Sequence, residues 1–203
     1  EIFNFKDVLS ANLFMSPGLD YIDTCILSSF LREINPKKIL EVGIYHGYSS
    51  LIILTTMLKL LKTNDFILNS LDVYSNYVEI TKLNLTKLNF NISNHSISCI
   101  DMYSCDYELD YDVYFFDADH QARSSASYLS HLQKAKTPFW LIAHDITLFD
   151  SNFLCREEGP LMEFLSKNNY NFFSTSSLSE TFKVHFPKFP NFVLYRLSDS
   201  RLP

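Results

Sequence analysis

Glycine is scarce in this chain, with four residues in 203, where ordinary usage of about 7% would give about 14. A Gly-X-Y repeat is excluded. Basic clusters are also missing: 17 Lys and Arg stand against 23 Asp and Glu, net charge −6, and no basic run exceeds the pair Lys37-Lys38. That balance argues against nucleic acid as a main partner. Long apolar runs are absent as well. Stretches such as 51–54 fall far short of the roughly 18 residues a membrane-spanning helix requires, so no membrane partner is expected. The four cysteines, Cys25, Cys99, Cys105 and Cys155, form no CxxC pair and no Cys/His cluster. This speaks against structural zinc and for reduced thiols in a cytoplasmic protein. The chain begins at Glu1 with neither Met nor a signal-like apolar run, and a processed product and a domain of a longer protein are both open readings.

What is present is a core. Hydrophobic residues make up 47% and aromatics 15%, led by 18 Phe and 12 Tyr, a composition that packs rather than remaining disordered. The length fits one domain. Two of the four glycines, Gly43 and Gly47, follow the run Ile39-Leu40-Glu41-Val42 and precede 49–61, whose apolar spacing and basic end predict a helix. Strands are expected at 66–73, 97–100, 113–116, 139–143, 170–174 and 191–197. Helices are expected at 21–31, 77–88 (through Val78, Ile80, Leu83, Leu85 and Leu88), 124–135 and 157–168. Alternating strands and helices favour a parallel sheet covered on both faces.

Ligands of open α/β sheets bind at the carboxyl ends of the strands. Nearly every expected strand here finishes on an acid: Glu41, Asp72, Asp101, Asp117 and Asp145. Any one of them could be a helix cap, whereas five at one rim suggest a site. The turn Gly43-Ile44-Tyr45-His46-Gly47 is neither the GxGxxG of dinucleotide folds nor a phosphate loop ending in Lys. Backbone amides near a ligand, with Glu41 and Asp72 available for ribose hydroxyls, suit a nucleoside with little or no phosphate.

KKILEVGIYHGYSS (37–50), YDVYFFDADH (111–120) and FWLIAHDI (139–146) resemble the first, fourth and fifth motifs of class I S-adenosylmethionine-dependent methyltransferases. The likeness is to the small O-methyltransferases related to the catechol, caffeoyl-CoA and macrolide-sugar enzymes. It runs over about 12–197 and implies a Rossmann-like α/β fold, a seven-stranded, mostly parallel sheet with helices on both faces and an antiparallel last strand. One domain over 1–203 is implied, with a helical cap segment at 1–35 and the core at 36–203.

By the same resemblance Glu41, Gly43, Tyr45, Gly47 and Ser49 would surround the methionine and ribose side of the cofactor, Asp72 would hold the ribose hydroxyls, and Asp101 and Met102 would bracket the adenine. Asp117 and Asp145 would hold a divalent cation. The relatives' third ligand, an Asn, is replaced here by Ile146, and His144 could substitute. Carboxylates suit Mg²⁺ and imidazole suits Mn²⁺ better, so both stay open. His120 stands where catechol-type relatives have a Lys base, and a His titrating near 6.5 is a competent base at neutral pH. The segment 174–190 reads as a lid over the acceptor.

The expected activity is O-methylation of a small hydroxylated metabolite, sugar-like or natural-product-like, with a small-molecule acceptor as partner and a homodimer as the state relatives often adopt. A methyltransferase-like domain that binds without catalysis is the alternative. A nicotinamide-dependent dehydrogenase is disfavoured by the missing GxGxxG.

Overall fold

The computed structural model describes residues 19, 21–90, 93–102, 110–119, 121–135, 138–144, 158–167, 172–174 and 193–197. Two compact units divide the chain, 1–100 and 101–203.

The first unit opens with helix α1, Tyr21–Ile34. Asp23 in its first turn and Arg32 in its last complement the helix dipole. It stops at Asn35, which takes the left-handed conformation with φ 47°, and Pro36 follows, unable to extend a helix. Strand β1, Lys38–Val42, pairs in parallel with β2, Ile67–Asp72, which pairs in parallel with β3, His95–Cys99. From Ile39 to Val42 strand β1 is buried at every residue, the mark of a strand covered on both faces. Between β1 and β2 runs α2, Tyr48–Thr55, buried from Ser49 to Thr55. Helix α1 packs on α2 and on the turn that follows it; Thr24 Oγ1 lies 3.4 Å from the Tyr48 hydroxyl, and Thr56 Oγ1 lies 3.0 Å from Ser28 Oγ. Helix α3, Ser75–Lys87, joins β2 to β3.

Two expectations differ from what is found here. The segment 49–61 is not one regular helix: Thr56–Leu60 forms a π-helical turn, in which Leu61 N–H donates to Thr56 O. Thr56 opens this turn with its hydroxyl donating back to the Ile52 carbonyl at 2.8 Å, a side-chain bond of the kind that competes with the backbone ladder. In α3 the buried face is Val78, Thr81, Asn84 and Leu85, while Leu83, expected inside, is 52% exposed. Thr81 and Asn84 are buried because they bond the glycine turn, and this rotates the helix away from its most apolar face.

The second unit holds β4, Val113–Phe116; α4, Ala122–Leu132; β5, Phe139–Ala143; α5, Glu158–Lys167; β6, Phe172–Ser174; and β7, Val193–Leu197. Strands β4 and β5 are parallel, whereas β7 runs antiparallel to both β5 and β6, as the expected final pair requires. Strand β4 is buried throughout, and Phe116 stacks on Tyr128 of α4 with ring centroids 4.1 Å apart. Seven strands are thus found among the described residues, in the order expected along the chain. Strand β3 starts two residues before its expected position, and α4 two before and three short of its own. Among the described residues no helix is long and apolar enough to cross a membrane.

Gly47, at φ 86°, has no room for a side chain: a Cβ there would stand 2.5 Å from Thr81 Cγ2. Gly47→Ala therefore combines left-handed strain with overpacking and is expected to destabilise the chain by roughly 2–4 kcal/mol in urea unfolding. Adding Thr81→Ser, which removes the clashing methyl, should recover part of that loss; no recovery would mean that sterics against α3 are not the reason for glycine.

Candidate functional site

Strand β1 delivers Glu41 and the glycine turn, and strand β2 delivers Asp72. Both glycines of the turn take positive φ, 87° at Gly43 and 86° at Gly47, and Tyr45 between them has φ 47°, so the chain reverses within five residues. Asp72 makes this shape possible. Its Oδ2 accepts the backbone N–H of Ile44 at 3.1 Å and of Tyr45 at 3.2 Å, and its Oδ1 accepts Tyr74 N–H at 2.9 Å. The turn closes on itself through Gly47 N–H to Ile44 O at 2.7 Å, and Gly43 N–H donates to Leu71 O at 2.9 Å. From α3, Thr81 donates to Tyr45 O at 3.3 Å and Asn84 to His46 O at 3.1 Å.

Four amides of the turn are thus used within the protein, a departure from the expectation that they would face a ligand. What the turn offers instead is a fixed surface. Tyr45, Val73, Tyr74 and Ile100 are four of the six large apolar side chains exposed among the described residues, and all lie just beyond the carboxyl ends of β1, β2 and β3. Tyr45 stacks on His46 with centroids 3.9 Å apart, and Tyr77 presents an edge to Tyr45 at 4.8 Å and to Tyr74 at 5.4 Å.

Glu41 lies within β1, not at its end, and is fully buried. Pairing sets it beside Ser70 of β2, and Ser70 beside Ile97 of β3. His95, two residues before Ile97, shares their face, because side chains alternate along a strand. The Ser70 hydroxyl donates to Glu41 Oε2 at 2.5 Å and lies 2.7 Å from His95 Nε2; Ser50, from α2, donates to the same Oε2 at 2.6 Å. His95 is held neutral, its pKa pushed down to about 4 by burial. Ser49 is buried, next to Ser50 on α2. The linear pattern does not mark Ser50, Ser70, Thr81, Asn84 and His95, polar residues whose partners lie far along the chain.

In the second unit, Phe116 of β4 pairs with Ala143 of β5, so the next residues, Asp117 and His144, leave neighbouring strand ends together. His144 N–H donates to Phe116 O at 3.0 Å, and His144 Nδ1 lies 3.1 Å from Asp117 Oδ1. His144 is buried and Asp117 half-buried. Asp119 accepts the Gln121 N–H at 3.2 Å, closing the turn into α4. Asp101 is exposed and Met102 buried. His120, Asp145 and the 174–190 lid lie outside the described residues, as do Cys105 and Cys155; Cys25 and Cys99 are free thiols. Among the described residues no group of three or more His, Cys, Asp and Glu could hold a metal ion.

A family model described as O-methyltransferase matches residues 20–168. Solved structures of similar fold include an O-methyltransferase from Bacillus cereus in complex with S-adenosylhomocysteine (SAH), at TM-score 0.68, 15% identity, 96% of this chain and 88% of that one. A caffeoyl-CoA O-methyltransferase candidate from Staphylococcus aureus matches at TM-score 0.65 and 16% identity over 96% and 90%. The O-methyltransferase TomG of tomaymycin synthesis from Streptomyces achromogenes, in complex with S-adenosylmethionine, matches at TM-score 0.62 and 14% identity over 95% and 85%. At such identities the likeness shows the fold, the Rossmann-like α/β fold of methyltransferases. No curated protein sequence matches the chain.

Asp72→Ala strips the acceptor from three backbone N–H groups and is expected to cost roughly 2–4 kcal/mol in urea unfolding; a loss under 1 kcal/mol would show that the turn holds without it. His95 sets an acid limit. Between pH 6.5 and about 4 the unfolded chain binds a proton that the folded chain excludes, so this contribution is full above pH 6.5 and is lost as pH falls toward 4. It amounts to on the order of 3 kcal/mol. Urea titrations from pH 7.5 to 4 should show a shallower fall for His95→Gln than for the parent chain.

Proposed function

Because the chain belongs to the O-methyltransferase family, we propose that it moves the methyl group of S-adenosylmethionine to a hydroxyl of a small metabolite of sugar or natural-product type. The observation that carries the cofactor is the first unit's rim: a glycine turn pinned by Asp72, flanked by exposed Tyr45, Val73, Tyr74 and Ile100. An apolar, partly aromatic surface beside a carboxylate suits a purine nucleoside, and no Lys follows the turn to meet a phosphate. Two of the solved structures of this fold hold the cofactor or its demethylated product, which supports the same reading. The family match runs through both units, from 20 to 168, and on that ground we read them as one methyltransferase domain.

Within this reading Glu41, Gly43, Tyr45, Gly47 and Ser49 would line the methionine and ribose side. Asp72 would accept a ribose hydroxyl besides the backbone N–H groups it already holds, a load a carboxylate's several lone-pair sites allow. Asp101 and Met102 would bracket the adenine. When bound, the cofactor supplies a methyl group already activated on a sulfonium, so the chain's own work is alignment, exclusion of water and handling of one proton. His120 would take that proton from the acceptor hydroxyl near neutral pH.

Asp117, His144 and Asp145 would hold a divalent cation, whose chemistry is to lower the pKa of a hydroxyl beside it. Asp117 and His144 fit that use in type and proximity. Their mutual hydrogen bond also matches the way a carboxylate orients a ligating imidazole, and the mixed set favours Mn²⁺ over Mg²⁺.

Isothermal titration with SAH, in EDTA and then with Mn²⁺ or Mg²⁺, tests the cofactor and the metal. Micromolar binding, about −8 kcal/mol, is expected. No binding at high micromolar concentration would overturn the methyltransferase reading. With a panel of hydroxylated acceptors, His120→Ala is expected to lower kcat by about 10²-fold or more while leaving the SAH Kd within about twofold. Equal turnover would remove His120 from the chemistry, and SAH binding without turnover on any acceptor would favour a domain that binds but does not catalyse.

A further inference from the structure

The buried polar chain across the first unit's strands has a direction. Ser70 owns one hydroxyl hydrogen, and it goes to Glu41 Oε2 at 2.5 Å; a hydroxyl that has given its hydrogen away meets its other neighbour only as an acceptor. His95 Nε2, 2.7 Å from Ser70 Oγ, is therefore the donor, and His95 is the tautomer with its proton on Nε2. The sequence runs one way, from His95 to Ser70 to Glu41, across three adjacent strands.

Nothing in a parallel sheet requires this. Apolar side chains at 70 and 95 would fill this buried face of the sheet without desolvating three polar groups, and burial of polar groups is costly unless each is bonded. The arrangement has a clear effect on one residue. With its acceptor side filled by His95, the Ser70 hydroxyl cannot turn toward a backbone carbonyl and stays aimed at Glu41. Ser50 approaches the same Oε2 from α2, so two hydroxyls converge on one oxygen and hold the carboxylate in a single rotamer. Glu41 lies one residue before Val42 and two before Gly43, at the root of the glycine turn.

We propose that His95 and Ser70 are positioning residues, a relay across β3, β2 and β1 that holds Glu41 in one rotamer at the root of the glycine turn, where the reading above puts the methionine portion of the cofactor. This rests on the cofactor reading above and adds to it two residues outside the glycine turn and the acidic rim. The neutral state of His95, with its pKa near 4, means that the relay keeps its direction throughout the neutral range. A positive charge on His95 is not what stabilises Glu41; the oriented hydroxyl is.

The test measures SAH affinity by titration calorimetry for the parent chain, Ser70→Ala, His95→Leu and His95→Gln, with unfolding midpoints taken alongside. The side-chain amide of Gln can donate from near the Nε2 position, whereas Leu cannot. Ser70→Ala and His95→Leu are expected to weaken SAH binding about 5- to 20-fold, and His95→Gln to stay within about twofold of the parent. The double variant Ser70→Ala/His95→Leu should bind no worse than Ser70→Ala alone, because His95 acts only through Ser70. Histidine ¹⁵N NMR of the ligand-free chain supplies a second readout and should find His95 protonated on Nε2 alone from pH 7.5 down to about 5.

If the parent chain does not bind SAH, the cofactor reading fails and the proposed role fails with it. Should the parent bind while all folded variants bind equally well, the relay is a packing feature and the proposal is overturned with the cofactor reading intact. If His95→Leu does not fold, the other two variants decide, since unchanged affinity in Ser70→Ala is sufficient to overturn the proposal. A proton on Nδ1 in place of Nε2 would overturn the direction of the relay, and with it the argument, whatever the affinities.

Discussion

The Asp72 carboxylate is the constraint on which the first unit's rim depends. One side chain at the end of β2 accepts backbone N–H groups from Ile44 and Tyr45 in the turn after β1 and from Tyr74 in its own loop. Two loops that leave neighbouring strands are thereby tied to one point. The left-handed residues Gly43, Tyr45 and Gly47 are strained or permissive in isolation and persist because this acceptor, with Thr81 and Asn84 from α3, fixes the backbone around them. The exposed tyrosines beside the turn inherit their places from it.

Behind the turn the protein is unusually polar for a buried layer. Ser50 and Ser70 meet Glu41, and His95 meets Ser70, among buried apolar residues of β1 and α2, and Thr56, which opens the π-helical turn after α2, lies beside Ser28. Their bonds to one another offset part of the cost of their burial, while Nδ1 of His95 is buried without a hydrogen-bond partner among the described residues. They also specify register: a one-residue slip of β2 would move Ser70 to the opposite face and leave Glu41 with Ser50 alone of its two hydroxyl donors. Polar cross-strand bonds therefore select one alignment of strands that apolar burial alone would leave less sharply defined.

The second unit uses a simpler device. Parallel pairing of Phe116 with Ala143 carries Asp117 and His144 off adjacent strand ends, and they meet at 3.1 Å. Their proximity follows directly from register and needs no special loop. For this reason the pair was visible in advance as two strand-ending motifs, YDVYFFDADH and FWLIAHDI, whereas the Glu41 network was not.

Much of the architecture was legible in the chain itself. The period-2 and buried apolar runs located the strands within a few residues, the Gly43–Gly47 spacing located the turn, and acids after strands located Asp72 and Asp117. These are local signals, carried by neighbours in sequence and by the periodicity of strands and helices. What only the tertiary structure decided is which polar residues turn inward. Ser70, His95, Thr81 and Asn84 look like solvated positions in a linear reading, because the groups they satisfy lie 25–38 residues away. The same holds for the use of the turn's amides, since a backbone N–H in the sequence does not reveal whether it will face a ligand or an aspartate brought to it by strand pairing. Periodicity reports burial, but a buried hydrogen bond is a property of two distant residues at once, and only the fold brings them together.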